Sequence, residues 1–360
     1  MCSCCHHDPQ RGRVTLKAAF LQTLGRLEVR ETERPPCPPR GILLRVRACA
    51  ICGSDLRTFT YGHHAVTLPH ILGHEIAGEV AEVDAQVEGF QVGDRVTLSP
   101  AVSCGRCLHC RSGHFNRCDN LLALGEDLPG GYAEYVAIPA RLLDEGYLIH
   151  IPEGLSFEAA ALAEPLSCVL NGQELVQVSL DDTVAIIGLG AIGCMHIAVA
   201  RLRGARKIIA FDISPVRLEM ARSFRADIYS DASAEDPVEV VRRTTKGHGV
   251  DVAIVACASG KAQTQAVAMA AKGGRVCLFG GLPKGSSLVS LDTNLVHYRE
   301  LTVVGAFGAT PIQLQHAVNL IASRMIPVDR LITHVFPLQE IARAFEVAAS
   351  EESLRVIVMP

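Results

Sequence analysis

Apolar and polar positions follow two different rhythms along this chain of 360 residues. From Asp182 onward, short apolar runs alternate with helix-length segments; the runs are Val184 to Ile187, Lys207 to Phe211, Val252 to Val255, Arg275 to Phe279 and Leu301 to Val304. This alternation predicts an α/β fold with a doubly wound parallel sheet, because strands covered by helices on both faces read as near-continuous apolar runs. Ser214 followed by Pro215 predicts an N-cap and first helical position for a helix over Val216 to Phe224, and Gly204 marks the stop of the helix before it. Up to about Pro165 the rhythm is different. Runs such as Leu16 to Leu21, Ile42 to Val46 and Gly78 to Val83 are broken by Gly, Pro and Asp, with little helical periodicity, which predicts an irregular β-rich domain. After Pro311 two amphipathic stretches follow, the second placing Leu338, Ile341, Ala342 and Phe345 on one face, and both are expected to pack back onto the β-rich domain.

Composition narrows the class. Nearly half the residues are apolar and a fifth are charged, which describes a globular protein long enough for two cores. A net charge of -4 with interspersed signs offers no field for phosphate backbones or anionic lipid, so neither nucleic acid nor a membrane is an expected partner. The most apolar helical candidate, Ala191 to Leu202, is cut by His196 and Arg201 and falls short of a membrane span. Fourteen Cys without a secretory signal point to a reducing, cytoplasmic setting in which thiols serve metals or cores. Residues 1–13, with Cys2, Cys4, Cys5, His6 and His7, are expected to form a tail.

Three motifs carry chemistry. Gly188-Leu189-Gly190-Ala191-Ile192-Gly193 matches G-x-G-x-x-G between a predicted strand and a predicted helix, the context in which backbone and helix N-terminus receive a pyrophosphate. The next predicted strand ends at Asp212, where a carboxylate takes ribose hydroxyls and repels a 2′-phosphate; this favours NAD over NADP, with Arg217 close enough in sequence to reach the adenosine side. Cys104, Cys107, Cys110 and Cys118 have the spacing C-x2-C-x2-C-x7-C and suit a closed structural zinc. Finally Cys52, His74, Glu75 and Glu164 offer the mixed donors of an open, catalytic zinc, and spacing does not choose between Glu75 and Glu164 for the carboxylate.

Together these residues resemble the zinc-dependent medium-chain dehydrogenases, and within them the sorbitol and threonine dehydrogenase branch. The resemblance rests on Cys52-Gly53-Ser54-Asp55, Gly73-His74-Glu75, the four-Cys segment, Ala163-Glu164-Pro165-Leu166-Ser167, the glycine turn with Asp212 and Arg217, and Arg355. It implies a GroES-like catalytic domain of residues 14–165 and 311–360, a Rossmann domain of residues 166–310, two zinc ions per chain, and hydride transfer between a small secondary alcohol, such as a polyol, and NAD. It also implies that Asp55 orients His74, that Gly281, Leu282 and Phe307 line the nicotinamide, and that Ser54 and Glu164 act on the substrate proton. Arg57 stands where some relatives carry a relay histidine, and a guanidinium accepts no proton at neutral pH. Thr58, Gly308 and Ala309 stand where sorbitol dehydrogenases are expected to hold the polyol with larger side chains, while Tyr61, His63 and His64 lie near enough in sequence to contact a hydroxylated substrate. A homodimer or homotetramer, paired through the edge strand Leu301 to Ala306, is implied as well. The competing expectations are a zinc-free NADPH-dependent reductase on the same fold and a non-catalytic nucleotide-binding protein.

Overall fold

The computed structural model describes residues 15–283 and 285–360, so the expected Cys/His-rich tail lies outside the described residues. An antiparallel hairpin, β1 (Thr15–Thr23) and β2 (Arg26–Glu33), precedes β3 (Ile42–Ala50), α1 (Gly53–Tyr61), β4 (Glu75–Val83) and β5 (Arg95–Leu98). A lobe of β6 (Ala101–Val102), α2 (Leu108–Arg111) and β7 (Leu122–Ala123) follows, then β8 (Tyr135–Ile138), α3 (Ala140–Asp144) and β9 (Leu148–His150). Two consecutive helices, α4 (Phe157–Ala161) and α5 (Ala163–Leu175), lead into the parallel sheet.

That sheet is built from β10 (Thr183–Ile187), α6 (Ala191–Leu202), β11 (Lys207–Asp212), α7 (Pro215–Ala221), β12 (Ile228–Asp231), α8 (Pro237–Thr244), β13 (Val250–Val255), α9 (Gly260–Met269), β14 (Ala270–Leu278), α10 (Thr293–Tyr298) and β15 (Thr302–Gly305). The strand order is β12-β11-β10-β13-β14-β15 and every pairing is parallel. All five residues of β10 are buried, as an apolar run in the middle of a doubly covered sheet must be. The order reverses beside β10, so its C-terminal end opens on the crevice where such sheets bind ligands. The chain then returns through α11 (Pro311–Ala322), β16 (Ile332–Pro337), α12 (Ile341–Ala349) and β17 (Arg355–Met359).

The second sheet runs β16-β17-β3-β4-β5-β9, with β8 also paired to β3. β17 lies antiparallel to β3, setting Ile357 opposite Ala50 and Val358 opposite Cys49, so the last strand is seated next to the segment that carries Cys52. Among the described residues, no helix is long and apolar enough to cross a membrane.

Three expectations change. The predicted helix over Val216 to Phe224 starts at Pro215 under the Ser214 cap as expected, but ends at Ala221 and tightens into a 3-10 turn over Arg222–Phe224. In α12 it is Ala344, not Ala342, that joins Ile341 and Phe345 in the core, and Ala342 is exposed. α12 packs on the β-rich sheet as expected, whereas α11 touches β9 and α4 but lies mainly along α5. Leu314, Ala317, Val318 and Ile321 of α11 enter the same core as α5, α6 and β10, because α11 lies along α5 at the seam between the two halves.

Candidate metal and dinucleotide sites

The start of α1 fixes the first donor. Cys52 is its N-cap residue, and the Asp55 carboxylate reaches back to accept the Cys52 N–H at 3.0 Å. Asp55 is buried and heavily bonded: Tyr132 donates its hydroxyl at 2.8 Å, Gly73 donates its N–H at 3.4 Å, and His74 Nδ1 lies 3.3 Å away. Burial opposes ionisation of this carboxyl, but the charge of His74 and the donors around it outweigh burial and hold Asp55 below its ordinary value. With Nδ1 turned to Asp55, His74 keeps Nε2 for another partner, and Ser54 Oγ lies 3.4 Å from it. Gly73 permits this approach. It has φ +94, and a Cβ there would sit 2.8 Å from Cys49 Sγ and 3.0 Å from the Tyr132 ring.

Glu75 opens β4 and is completely buried. Arg355 Nη2, from β17, lies 2.9 Å from its Oε1, yet off the line of a hydrogen bond, so both Glu75 oxygens lack a hydrogen-bond donor among the described residues. Burial pushes its carboxyl up, against the pull of Arg355 and His74. Arg355 supplies one positive charge to this buried carboxylate, and its two oxygens without a hydrogen-bond donor leave lone pairs for a second cation. Cys52, His74 and Glu75 bring their donor atoms within 4.8 Å of one another, which fits a metal ion of the zinc class. Glu164, near the start of α5, is outside that group, and Cys168 one turn later donates its thiol to Glu164 Oε1 at 3.6 Å. Burial raises the Glu164 carboxyl to about 7, with His74 opposing and Glu75 adding to the rise.

The four-Cys lobe is a second convergent group, its sulfurs also within 4.8 Å of one another. The sulfurs of Cys107 and Cys110 are 3.4 Å apart, too far for a disulfide, and all four cysteines are free. Backbone N–H groups point at the sulfurs, Cys104 N to Cys118 at 3.1 Å and Cys107 N to Cys104 at 3.3 Å. Such donors hold the Cys104 thiol down to about 6, whereas burial pushes Cys118 up to about 12; a shared cation would let all four ionise. From this lobe Asn116 donates to the Phe307 carbonyl at 2.7 Å, and Asn171 of α5 donates to that of Gly308 at 2.8 Å. The lobe therefore braces the loop after β15.

At the end of β10 the glycine turn is shaped for an outside guest. Gly188 has φ +96 and packs against Cys257, and a Cβ on Gly193 would collide with the Gly188 carbonyl. Gly190 is the N-cap residue of α6 and faces open space, so nothing among the described residues forbids a side chain there; the glycine cradle and a helix N-terminus with no side-chain cap fit a pyrophosphate. Asp212 accepts N–H bonds from Leu189 at 2.6 Å and Ser214 at 2.9 Å, tying the end of β11 to this turn. Arg217 reaches the Ser350 carbonyl at 3.4 Å, and Ile192 is half-buried against the core. Gly281 would meet Arg57 Nη1 of α1 at 3.8 Å if it carried a Cβ, which brings the two halves together near the expected nicotinamide position. Leu282 is half-buried there, and the Phe307 side chain is 70% exposed.

Residues 38–152 match the alcohol dehydrogenase GroES-like domain and residues 191–323 the zinc-binding dehydrogenase family. Sorbitol dehydrogenase of Bacillus subtilis is 32% identical over 99% of each chain. The chain belongs to the zinc-containing medium-chain dehydrogenases. L-threonine 3-dehydrogenase of Symbiobacterium thermophilum is 33% identical over 95% of this chain and 99% of its own. A solved structure from Sinorhizobium meliloti 1021, assigned as a zinc-binding dehydrogenase and bound to NADP, superposes with a TM-score of 0.89 at 34% identity, covering 97% of this chain and all of that one. As a zinc-containing medium-chain dehydrogenase this protein is an oxidoreductase of the alcohol dehydrogenase kind that uses a nicotinamide cofactor.

Sequence reading overlooked two side chains of the metal site. Cys168 stands four residues after Glu164, a spacing that puts both on one helix face and could have been noticed. Tyr132 lies 77 residues from Asp55, and no local signal joins them. Of the residues expected near substrate, Thr58 and Ala309 are buried and Tyr61 is 73% exposed.

Proposed function

We propose that this dehydrogenase interconverts a small secondary alcohol and its ketone with NAD, in the cytoplasm, using one zinc on Cys52, His74 and Glu75 and a second on Cys104, Cys107, Cys110 and Cys118. The observation that carries the reading is the first group: three donors of three kinds within 4.8 Å leave a tetrahedral ion one place for substrate, which four thiolates do not. Its two bare oxygens favour Glu75 over Glu164 as the carboxylate ligand. When bound, the ion supplies the Lewis-acid charge that eases loss of the hydroxyl proton and hence hydride release to the nicotinamide.

The chain's own residues do the rest. Asp55 holds the His74 ring through Nδ1 and is itself held by Tyr132. Ser54 Oγ, 3.4 Å from His74 Nε2, takes the substrate proton while passing its own hydroxyl proton on. Arg57 cannot pass it on, and Glu164, raised by burial to about 7, takes it at a carboxylate oxygen. The turn Gly188, Gly190, Ile192 and Gly193 receives the pyrophosphate, Asp212 the ribose, and Gly281, Leu282 and Phe307 the nicotinamide side. Small residues at Gly308 and Ala309 offer few donors for a long polyol, so a shorter alcohol fits better. The exposed edge strand β15 is the face for a dimer or tetramer.

A screen at the NADH absorbance band with polyols, amino alcohols, inositols and sugar phosphates, using both cofactors and a metal count, tests the reading. Cys52→Ser is expected to abolish turnover while NAD still binds; near-normal turnover would remove the metal assignment. NADP is the second reading, favoured by Arg217 and by the NADP-bound Sinorhizobium relative. Asp212→Ala separates the two, since it should relax a preference for NAD.

A further inference from the structure

The turn after Asp212 is gripped from the other half of the molecule. Glu351, in the loop between α12 and β17, accepts a hydrogen bond from Ser214 Oγ at 2.7 Å across 137 residues of chain. Ser214 donates its backbone N–H to Asp212 Oδ1 at 2.9 Å, so a single serine joins two carboxylates, one from each domain. The same loop engages the guanidinium of the next helix: Arg217 Nη2 donates to the Ser350 carbonyl at 3.4 Å, while Arg217 Nε is buried with no hydrogen-bond partner among the described residues. Glu351 is exposed and carries its charge at the mouth of this turn.

Those contacts act on one chemical distinction. NAD and NADP differ by a phosphate on the adenosine ribose, at the hydroxyls that an acidic residue in the position of Asp212 would hold. A dianionic phosphate needs a cation and is pushed away by carboxylates. Here the Arg217 guanidinium is drawn to a backbone carbonyl through Nη2 and a second carboxylate is fixed to Ser214. We propose that the Ser350–Glu351 loop is a second selectivity element for the dinucleotide, in which Glu351 repels a 2′-phosphate from the catalytic-domain side and Ser350 keeps Arg217 from receiving it. The proposal rests on reading the Gly188–Gly193 turn and Asp212 as an NAD site. It makes cofactor choice a property of both domains, since Glu351 adds a carboxylate from the catalytic domain to those the nucleotide domain carries at Asp212 and its strand neighbour Asp231.

Glu351→Gln isolates the charge, because the amide oxygen still accepts from Ser214. Calorimetric affinities of NAD and NADP for the full-length, metal-loaded protein provide the readout, with no alcohol substrate required. The NADP-to-NAD dissociation-constant ratio is expected to fall about fivefold in Glu351→Gln at low salt, and the fall should shrink at high salt. An unchanged ratio overturns the proposal. Asp212→Ala, measured alongside, keeps the failures apart: a shift there with none in Glu351→Gln sinks only the loop's role, while no shift in either variant also sinks the NAD reading beneath it.

Discussion

His196 shows how one buried group can set acid stability without touching the chemistry. It sits in α6 with no exposure, its Nδ1 3.2 Å from the Gln173 amide nitrogen and its ring edge-on to Phe279. Its Nε2 has no partner among the described residues, and burial lowers its proton affinity from 6.5 to about 3. The native ring therefore stays neutral where the unfolded chain's histidine picks up a proton. Between those two values the unfolded state binds more protons, so stability falls as pH drops from about 6.5 toward 3, by up to about 1.4 kcal/mol per unit. His196→Leu keeps the bond from Gln173 to the carbonyl of residue 196 and removes the titration. Urea unfolding of both proteins between pH 6 and pH 4 should give a shallower acid slope for the variant; parallel profiles would show that His196 is not the group responsible.

At the scale of elements, the four-Cys lobe holds its shape by ligation rather than by core. Its helix α2 has four residues and its strands two each, too little to bury an apolar face of their own. Cys118→Ser should therefore lower the metal content by one ion per chain, open residues 103–119 to limited proteolysis, and loosen the Phe307 loop that Asn116 holds. A variant with unchanged metal content and an uncut lobe would contradict a zinc held there. The lobe was legible because its four sulfurs lie close in sequence, and five of the six strands of the parallel sheet were legible from their apolar runs, whereas the edge strand β12, Ile228–Asp231, is short, half-exposed and partly polar and was not. Other elements left no such trace. β2 alternates only over Leu27 and Val29, which are half-buried against the core, and four polar residues follow, so its apolar signal is too short to read as a strand without its pairing to β1. α5 was hidden for the opposite reason: buried residues surround it, which removes the helical stripe, and Pro165 near its start reads as a break.

Across the whole molecule, the site depends on a closure that no local pattern announces. Arg355 lies 280 positions after Glu75, and β17 brings it back beside β3, where Nη1 donates to the Ile51 carbonyl at 2.9 Å and Nη2 faces Glu75. Both side chains are buried, so their charges are compensated by each other and by whatever cation the Cys52–His74–Glu75 group holds. Arg355→Met preserves much of the apolar stem and deletes the charge. Without metal, Glu75 would then be an unpaired buried carboxylate, a situation that costs about 3–5 kcal/mol. With zinc bound to Glu75 the ion supplies the missing positive charge, and the loss should be much smaller. Thermal unfolding of wild type and variant, each with zinc and with chelator, separates the cases. A large destabilisation in chelator that zinc mostly restores is the expected result. An equal loss under both conditions would mean that the ion does not reach Glu75, and the carboxylate ligand would then have to be sought in Glu164, on the helix that forms the seam between the two halves.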